Sequence, residues 1–561
     1  MRIKFPRPGW AELWWSEDEA ADWQRVFDQA FGDELPGARL LPLCLEAHHT
    51  TWHLVAPLIP EEHANKLYST PRLLNIDTAD WAPTFDYLGL FPWQVEAIVR
   101  AAEQGGMLLC DDMGLGKTRS AIMAAEVWAL ARNEQRPRLV IGPAFARNVW
   151  RHELRAVGAL RSEDDYCIIR SVDMGDESYR PDALWYFVNY DIAAAWATHF
   201  AAVPYARRPA AVILDEAHRI KNPQAQRTRA TMQLAGRAHF RMLLTGTPID
   251  NRPAELWQLL TVLCGKGSFG TYYSFRRRYC GAVVGSFGLE DRAPSNVDEL
   301  RERIGSLYLR RTANDIDASI MPALSRQRIE MSLSEKDREK HDTLVHSVPL
   351  DELLNAVLEG RAGKSTFDIL MRLRKVTSAA KRKTTIAHVQ DLLEQGESVV
   401  VFAWQKSTAA ALAKKLSRLP PITGDMPQKQ RDFWIECFQT GNEPEALVAT
   451  YGALAEGVTL TRAARVVLHD LDYKTSTILQ AERRVARIGQ TRPCVASWVV
   501  ADNSIDTIFA RLLVSKVGAI QKTLGIDEPA EAVEGVGLRE VSREFEAAEW
   551  AREALGKMGA T

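Results

Sequence analysis

The sequence predicts an α/β protein with two parallel-sheet lobes, helical insertions between the lobes and a small N-terminal domain. Two observations support this fold class. Short apolar runs alternate with helical patterns from residue 106 to residue 262, and the same alternation returns after residue 386. Such alternation is typical of buried parallel strands joined by crossover helices. The chain of 561 residues is long enough for about three or four domains.

Each lobe is predicted from its apolar runs, which are four or five residues long. The runs of the first lobe are residues 107–110, 139–142, 185–188, 211–214 and 241–244. Those of the second lobe are residues 398–402, 446–449, 465–468 and 496–500. The segment between the lobes is rich in charge, lacks this rhythm and is expected to be mostly helical.

These patterns divide the chain into five predicted segments. They are an N-terminal accessory domain at 1–85, the first lobe at 86–262, helical insertions and a linker at 263–385, the second lobe at 386–510 and an acidic helical extension at 511–561.

Charge and cysteine content limit the function classes. The 70 Lys and Arg residues nearly balance the 72 Asp and Glu residues, so any nucleic-acid surface must be local. The most basic segment is 361–385. Seven scattered cysteines without a Cys-x-x-Cys pair fit a reducing compartment. No run of about eighteen apolar residues occurs, so we expect a soluble, unexported protein that does not bind membranes and is cytoplasmic or nuclear according to its source.

A phosphate loop is predicted where the first apolar run meets a helical pattern. Glycines let backbone N–H groups close around phosphate oxygens, and the following helix N-terminus favours anions. We expect Lys117 to reach the β and γ phosphates of ATP and the Thr118 hydroxyl to ligate Mg²⁺. The general pattern has Gly where this chain has Asp111. The loop residues are Asp112, Met113, Gly114, Leu115, Gly116, Lys117 and Thr118.

Two carboxylates follow the run at 211–214, at the carboxyl end of a predicted strand. We expect Asp215 to hold Mg²⁺ and Glu216 to act as the base that activates water. Upstream, Gln94 is a candidate to read the adenine edge, because an amide offers a donor and an acceptor. A plain surface glutamine is the alternative for that residue.

Taken together, these residues resemble the helicase-like ATPases of superfamily two, and among them the SWI/SNF-like double-stranded DNA translocases. The matching segments are 215–222 for the second motif, 244–248 for the third and 480–490 for the sixth. The resemblance covers residues 88 to 510 and implies two RecA-like lobes. RNA helicases of the DEAH type share residues 215–218, but they carry different third and sixth motifs. Residues 252–256 and 278–280 favour the annealing-helicase branch of the family.

The resemblance also implies roles for individual residues. Arg484 and Arg487 would clamp the γ-phosphoryl group in the transition state, and Gln490 would contact the nucleotide. A basic helix face is the alternative for the two arginines. Residues implied to couple hydrolysis to movement are His218, Thr245, Gly246, Thr247, Gly457 and Thr459. Residues expected to contact nucleic acid are Lys221, Asn222, Arg310, Arg311, Arg372, Arg374 and Lys375.

The predicted function is that of a DNA-dependent ATPase using ATP and Mg²⁺. It would translocate on double-stranded DNA, including forked or gapped duplex, as a monomer, and would remodel or reanneal DNA or clear bound proteins. The alternatives are a strand-separating DNA or RNA helicase and a scaffold with inactive ATPase lobes. The inactive scaffold is disfavoured because the residues expected to catalyse hydrolysis are all present, namely Lys117, Asp215, Glu216, Arg484 and Arg487.

Overall fold

A computed structural model describes most of the chain between residues 76 and 513. Within that span the undescribed residues are 174–178, 250–253, 286–287, 292–293, 313–314, 318–319, 350–351, 354–362, 455–457, 473 and 511–512. Nearer the N-terminus it describes 2–7, 10–14, 38–41 and 44–48. The chain forms two compact units, the first ending at Arg311 and the second comprising the chain from Thr312 onward together with residues 292–294.

The N-terminal region contains a four-stranded antiparallel sheet with the order β1-β2-β4-β3. Its strands are β1 (Arg2–Arg7), β2 (Trp10–Trp14), β3 (Ala38–Leu41) and β4 (Cys44–His48). A helix, α1 (Thr78–Tyr87), precedes the first predicted lobe.

A seven-stranded parallel sheet forms the centre of the first unit, with the order β13-β5-β10-β9-β6-β8-β7. Its strands are β5 (Leu108–Leu109), β6 (Arg138–Gly142), β7 (Tyr166–Ile169), β8 (Trp185–Asn189), β9 (Ala211–Asp215), β10 (Phe240–Leu244) and β13 (Tyr308–Leu309). An antiparallel hairpin is formed by β11 (Val283–Gly285) and β12 (Gly288–Glu290).

Helices of the first unit connect these strands. They are α2 (Pro92–Gln104), α3 (Lys117–Ala131), α4 (Arg147–Ala156), α5 (Ala193–Ala202), α6 (Gln226–Ala235), α7 (Glu255–Cys264), α8 (Tyr272–Tyr279) and α9 (Val297–Ile304). The strands and the inner faces of α2 and α3 build one apolar core, in which the Trp128 ring lies 5.4 Å from that of Phe240. Burial of this surface is the main stabilising term for the sheet.

The second unit has a five-stranded parallel sheet with the order β14-β18-β17-β15-β16. Its strands are β14 (Leu324–Met331), β15 (Val399–Ala403), β16 (Ala446–Thr450), β17 (Arg465–Leu468) and β18 (Cys494–Ala501). Its helices are α10 (Glu335–His346), α11 (Lys364–Glu394), α12 (Lys406–Leu416), α13 (Gln428–Thr440), α14 (Tyr451–Leu454) and α15 (Thr475–Glu482).

The segment 263–385 was expected to be mostly helical, and it also contains the hairpin β11–β12 and two strands, β13 and β14, that join the parallel sheets. The two residues of β13 add to the edge of the first sheet beside β5. The eight residues of β14 form the edge of the second sheet, where Arg326 pairs with Glu482 at 2.8 Å. A charged edge strand does not show the apolar run by which the central strands were predicted.

Parallel strands bring their carboxyl ends to one edge of each sheet, and the predicted motifs follow those ends. The phosphate loop follows β5, the acidic pair begins with the last residue of β9, and residues 245–247 follow β10. Among the residues that the structure describes, no helix is long and apolar enough to span a membrane.

Candidate active site

The phosphate loop runs from the end of β5 to the start of α3. Gly114 has φ of +93° and Gly116 has φ of +80°, a left-handed conformation that favours glycine. Gly116 also caps α3, and a Cβ placed there would lie 2.2 Å from Gln94 Nε2. The conformation of the loop therefore favours glycine at residue 116, and any side chain there would displace the Gln94 amide.

Lys117, the first residue of α3, lies among carboxylates. Its Nζ donates to the backbone oxygens of Asp111 at 2.6 Å and Asp112 at 3.1 Å. Burial lowers the pKa of the ammonium, and nearby carboxylates oppose this shift, with Glu216 the largest contributor and Asp215 also contributing. The structure thus brings the phosphate loop and the acidic pair of β9 together, as the sequence analysis expected.

Asp215 is held by two aromatic residues that the sequence analysis did not identify. The Trp150 indole N–H donates to Asp215 Oδ2 at 2.8 Å, and the Tyr190 hydroxyl donates to the Asp215 backbone oxygen at 2.8 Å. Burial, followed by the charge of Glu216, raises the pKa of the Asp215 carboxyl to about 6. The carboxylate is therefore fixed in orientation and costly to ionise without a cation.

Glu216 lies at the sharp turn after β9, with φ of +51°. Its Oε2 lies 3.2 Å from His218 Nδ1, and the same His218 nitrogen lies 3.2 Å from the Thr245 hydroxyl. Thr245 Oγ1 in turn accepts the Thr247 N–H at 3.1 Å. These contacts connect the predicted base to the Thr-Gly-Thr turn after β10 through a single imidazole.

Gly246 brings the same turn close to the phosphate loop. A Cβ at Gly246 would lie 3.1 Å from the Met113 side chain and 3.7 Å from Lys117 Nζ. A larger residue at 246 would therefore crowd the predicted phosphate site.

The donor set fits a magnesium ion brought in with a nucleotide. Thr118 follows Lys117 at the start of α3, and the buried Asp215 supplies hard carboxylate oxygen. Mg²⁺ typically uses one or two protein oxygens plus substrate phosphates and water. The described residues contain no group of three His, Cys, Asp or Glu side chains able to hold a metal by themselves.

Gln94 is buried against the phosphate loop. Its Oε1 accepts the Phe91 N–H at 3.0 Å, and its Nε2 donates to the Gly116 backbone oxygen at 3.4 Å. The neighbouring Trp93 indole donates to the Leu115 backbone oxygen at 3.2 Å. The start of α2 therefore buttresses the loop, and recognition of adenine by Gln94 stays a prediction.

Four predicted nucleic-acid contacts lie in the first unit. Asn222 is exposed, and Lys221 pairs with Glu255 at 3.4 Å. Arg310 and Arg311 were also predicted to contact nucleic acid, but their side chains point under the phosphate loop. Their guanidinium groups pair with Asp112 and Asp111 respectively.

In the second unit, the segment 480–490 packs against residues 458–463. Arg487 NH1 donates to the Thr459 hydroxyl at 3.1 Å, and its Nε donates to the Arg483 backbone oxygen at 2.9 Å. The buried Arg484 donates to the Val458 backbone oxygen at 3.1 Å. Thr459 and Arg487 are thus placed together, whereas Gly457 lies outside the described residues.

Gln490 has a structural role and not the nucleotide contact predicted for it. Its amide N–H groups donate to the backbone oxygens of Thr461 at 2.9 Å and Ala463 at 2.8 Å. Its Oε1 accepts the N–H groups of Thr491 and Arg492 at 3.1 Å each. Since donors and acceptor are all used inside the second unit, Gln490 fixes this loop.

The basic run on α11 divides into a buried and an exposed set. Arg374 was predicted to contact nucleic acid, but it is buried, with its guanidinium 4.2 Å from the Trp404 ring and bonded to the Leu471 backbone oxygen at 3.0 Å. Lys381 is fully buried and lies 2.7 Å from Asp506. These residues hold α11 on the second unit and present no surface charge.

The exposed set forms a stripe along α11, because its members recur at helical spacing on the outer face. This basic stripe consists of Lys364, Arg372, Lys375, Arg382 and Lys383. It includes two of the predicted nucleic-acid residues.

The chain matches two protein-family models and is similar to known proteins. The model of the SNF2-related domain matches residues 93–381, and that of the helicase conserved C-terminal domain matches residues 384–489. SWI/SNF-related matrix-associated actin-dependent regulator of chromatin subfamily A-like protein 1 of Drosophila melanogaster is 28% identical, over 77% of this chain and 56% of that protein. DNA annealing helicase and endonuclease ZRANB3 of Mus musculus is 28% identical, over 85% of this chain and 45% of that protein.

The chain spans about half the length of these two relatives. Among solved structures, a Sulfolobus solfataricus SWI2/SNF2 ATPase core in complex with double-stranded DNA is 22% identical, with a TM-score of 0.36, and the match covers 80% of this chain and 96% of that one.

Proposed function

Because the chain belongs to the SNF2-related family of helicase-like ATPases, we propose that it is a DNA-dependent ATPase that moves along double-stranded DNA. It hydrolyses ATP with Mg²⁺ and uses the energy to remodel or reanneal DNA, without extensive strand separation. The annealing role is supported by the relatives of the ZRANB3 type, which are named as DNA annealing helicases. The substrate is duplex DNA, forked or gapped duplex included, and the active form is a monomer.

The observation that carries the proposal is the meeting of Lys117, Asp215 and Glu216 beside one glycine-rich loop. The ammonium of Lys117 would exchange its backbone partners for the β and γ phosphates. Thr118 and Asp215 would hold Mg²⁺, which would neutralise charge on the phosphates. Glu216, whose charge is the largest carboxylate effect on the pKa of Lys117, would orient and deprotonate the attacking water.

The contact of Glu216 with His218 supports a link between chemistry and movement. The imidazole lies within hydrogen-bond distance of both the predicted base and Thr245. A change at the γ-phosphate would therefore reach the Thr-Gly-Thr turn through two contacts.

In the second unit, we assign Arg487 to the clamp on the transferring phosphoryl group, because its guanidinium is only half-buried and Arg484 is held inside.

The basic stripe on α11 is the surface that best fits a DNA backbone. Its five cations are exposed along one side of a single helix, and Asp368 is the one acidic residue exposed among them between 364 and 383. Contacts to phosphates carry affinity without base specificity, so sequence preference should be slight.

The first test concerns what stimulates hydrolysis. We expect duplex DNA, forked or gapped duplex included, to raise the ATPase rate well above the rates with single-stranded DNA or RNA of matched length. Phosphate release is measured in parallel with each nucleic acid at two salt concentrations, alongside a strand-separation assay. Stimulation should fall at higher salt, because phosphate contacts release counterions. Stronger activation by RNA, or extensive unwinding, would favour the helicase alternative.

The second test addresses the stripe. An Arg372→Ala, Lys375→Ala, Arg382→Ala variant is expected to bind duplex more weakly for every sequence and to flatten the dependence of log affinity on log salt by up to about 3, at about 0.9 for each lost phosphate contact. A matched control removes three exposed lysines elsewhere on the second unit, Lys414, Lys415 and Lys429. Equal salt slopes in the two triple variants would show that the stripe does not bind DNA.

A further inference from the structure

Asp111 stands where the general phosphate-loop pattern has glycine, and its carboxylate is buried in an ion pair with Arg311. Asp111 Oδ2 accepts Arg311 NH2 at 2.6 Å, and Oδ1 accepts the Arg311 Nε at 3.0 Å and its backbone N–H at 3.1 Å. Burial raises the pKa of Asp111, and Arg311 is the main group opposing that shift. The pair is a bidentate one inside the protein.

Arg311 ties Asp111 to further parts of the site. Its NH1 donates to the Trp93 backbone oxygen and lies 3.3 Å from Glu96 Oε2, both in α2. The backbone continues the β5–β13 pairing into the loop, since the Asp112 N–H donates to the Arg311 backbone oxygen at 2.8 Å. Arg311 is therefore bonded to the loop through its backbone and its side chain.

Arg310 makes a parallel set of contacts. Its NH2 lies 3.5 Å from Asp112 Oδ1, and its NH1 lies 3.5 Å from the Gly246 backbone oxygen. Both arginines are the final residues of the first unit, and Thr312 begins the second. The segment that leaves the first unit is thus anchored directly beneath the phosphate loop.

The link to the predicted chemistry is Lys117. Asp111, whose carboxylate pairs with Arg311, also accepts a hydrogen bond from Lys117 Nζ at its backbone oxygen, at 2.6 Å. The positive charges of Arg311 and Lys117 both lower the pKa of the Asp111 carboxyl, against the effect of its burial. If Arg311 were removed, the unpaired buried carboxylate would attract Lys117, the cation meant for the phosphates.

We propose that Arg311 is a positioning residue for nucleotide binding: it neutralises Asp111 and so leaves Lys117 available to the β and γ phosphates of the nucleotide. This inference rests on the proposed nucleotide site, but it needs neither DNA nor hydrolysis. It predicts that removing Arg311 alone weakens nucleotide binding more than removing Asp111 and Arg311 together, because only the single change leaves an unpaired buried carboxylate.

The test is a titration of each variant with fluorescent mant-ADP in the presence of Mg²⁺, together with its thermal melting temperature. Arg311→Ala is expected to raise the dissociation constant about tenfold or more, a change of about 1.4 kcal/mol. The double variant Asp111→Ala, Arg311→Ala is expected to bind more tightly than Arg311→Ala. Arg311→Lys, which keeps the charge, should bind within about threefold of wild type.

A matched control comes from another partly buried ion pair of the first unit. Arg276 Nε lies 2.7 Å from Asp291 Oδ1, and both side chains are largely buried. Arg276→Ala is expected to lower the melting temperature while the mant-ADP affinity stays unchanged. This variant measures the cost of breaking a structural ion pair, so it separates a loss of stability from a loss of positioning.

Two results would overturn the inference. Arg311→Ala could melt at a lower temperature and still bind mant-ADP like wild type, which would make the pair purely structural. Alternatively, the double variant could bind as weakly as Arg311→Ala, which would exclude competition for Lys117. If Arg311→Ala does not fold, Arg311→Gln replaces it under the same criteria. Wild-type binding of mant-ADP without DNA-stimulated hydrolysis would refute the proposed function and leave this inference standing.

Discussion

Arg487→Ala is expected to lower DNA-stimulated ATP hydrolysis by a factor on the order of 10³ while nucleotide affinity stays within a few fold. A guanidinium that clamps the transferring phosphoryl group acts mainly in the transition state, so its loss affects turnover more than binding. Arg487 is preferred to Arg484 for this test, because Arg484 is buried and holds the Val458 backbone. Steady-state phosphate release with saturating duplex and equilibrium binding of mant-ADP measure the two effects.

The control for this variant is Arg465→Ala. Arg465 is a half-buried arginine of the second unit that pairs with Glu397 at 3.1 Å, on β17. Its removal should leave the stimulated rate within a few fold of wild type. Thr459→Ala, which removes the hydroxyl that accepts from Arg487, should cause a smaller loss of about tenfold. A normal stimulated rate in Arg487→Ala would mean that this side chain only packs against residues 458–461.

The second large effect is expected for Glu216→Gln, which should bind ATP and hydrolyse it about 10² to 10⁴ times more slowly. The amide has nearly the same shape as the carboxylate but cannot accept the proton of water. Single-turnover hydrolysis, measured on ATP bound beforehand, reports this step separately from nucleotide binding and product release. ATP should therefore remain on the variant protein long after wild type has released ADP.

Glu255→Gln provides the control for that variant. Glu255 is a mostly buried carboxylate of the same unit, and it pairs with Lys221 at 3.4 Å outside the phosphate loop. It should hydrolyse ATP at close to the wild-type rate. Wild-type turnover in Glu216→Gln would show that the base has been assigned to the wrong residue.

The central strands and the family could be predicted from the sequence, and both predictions are confirmed. Each of the nine apolar runs overlaps a strand of one of the two parallel sheets, because strands covered on both faces must be apolar along their whole length. The SNF2-related match agrees with the resemblance drawn from the motifs at 215–222, 244–248 and 480–490. The five segment boundaries stay predictions, and so do the roles of the site residues other than Arg310, Arg311, Arg374 and Gln490, whose side chains are held inside the protein.

What the sequence analysis missed depends on contacts between distant residues. β13 is two residues long and is defined by its pairing with β5, so no local pattern marks it. Arg311 and Arg374 look like surface charges in the sequence, yet both are buried. Arg311 pairs with the Asp111 carboxylate, and Arg374 lies over the Trp404 ring. Charge is readable from sequence, but the partner that allows a charge to be buried is not.

The pairing of β13 with β5 also has a consequence for biosynthesis. Asp111 and Arg311 are 200 residues apart in the chain. At about 5 to 20 residues per second, the ribosome would need roughly 10 to 40 seconds to reach Arg311 after it has made the phosphate loop. During that time the edge of β5 and the buried Asp111 lack their native partners, and such long-range pairing folds slowly. A nascent first unit should therefore acquire its nucleotide affinity abruptly and late, once the last strand has emerged and joined the sheet.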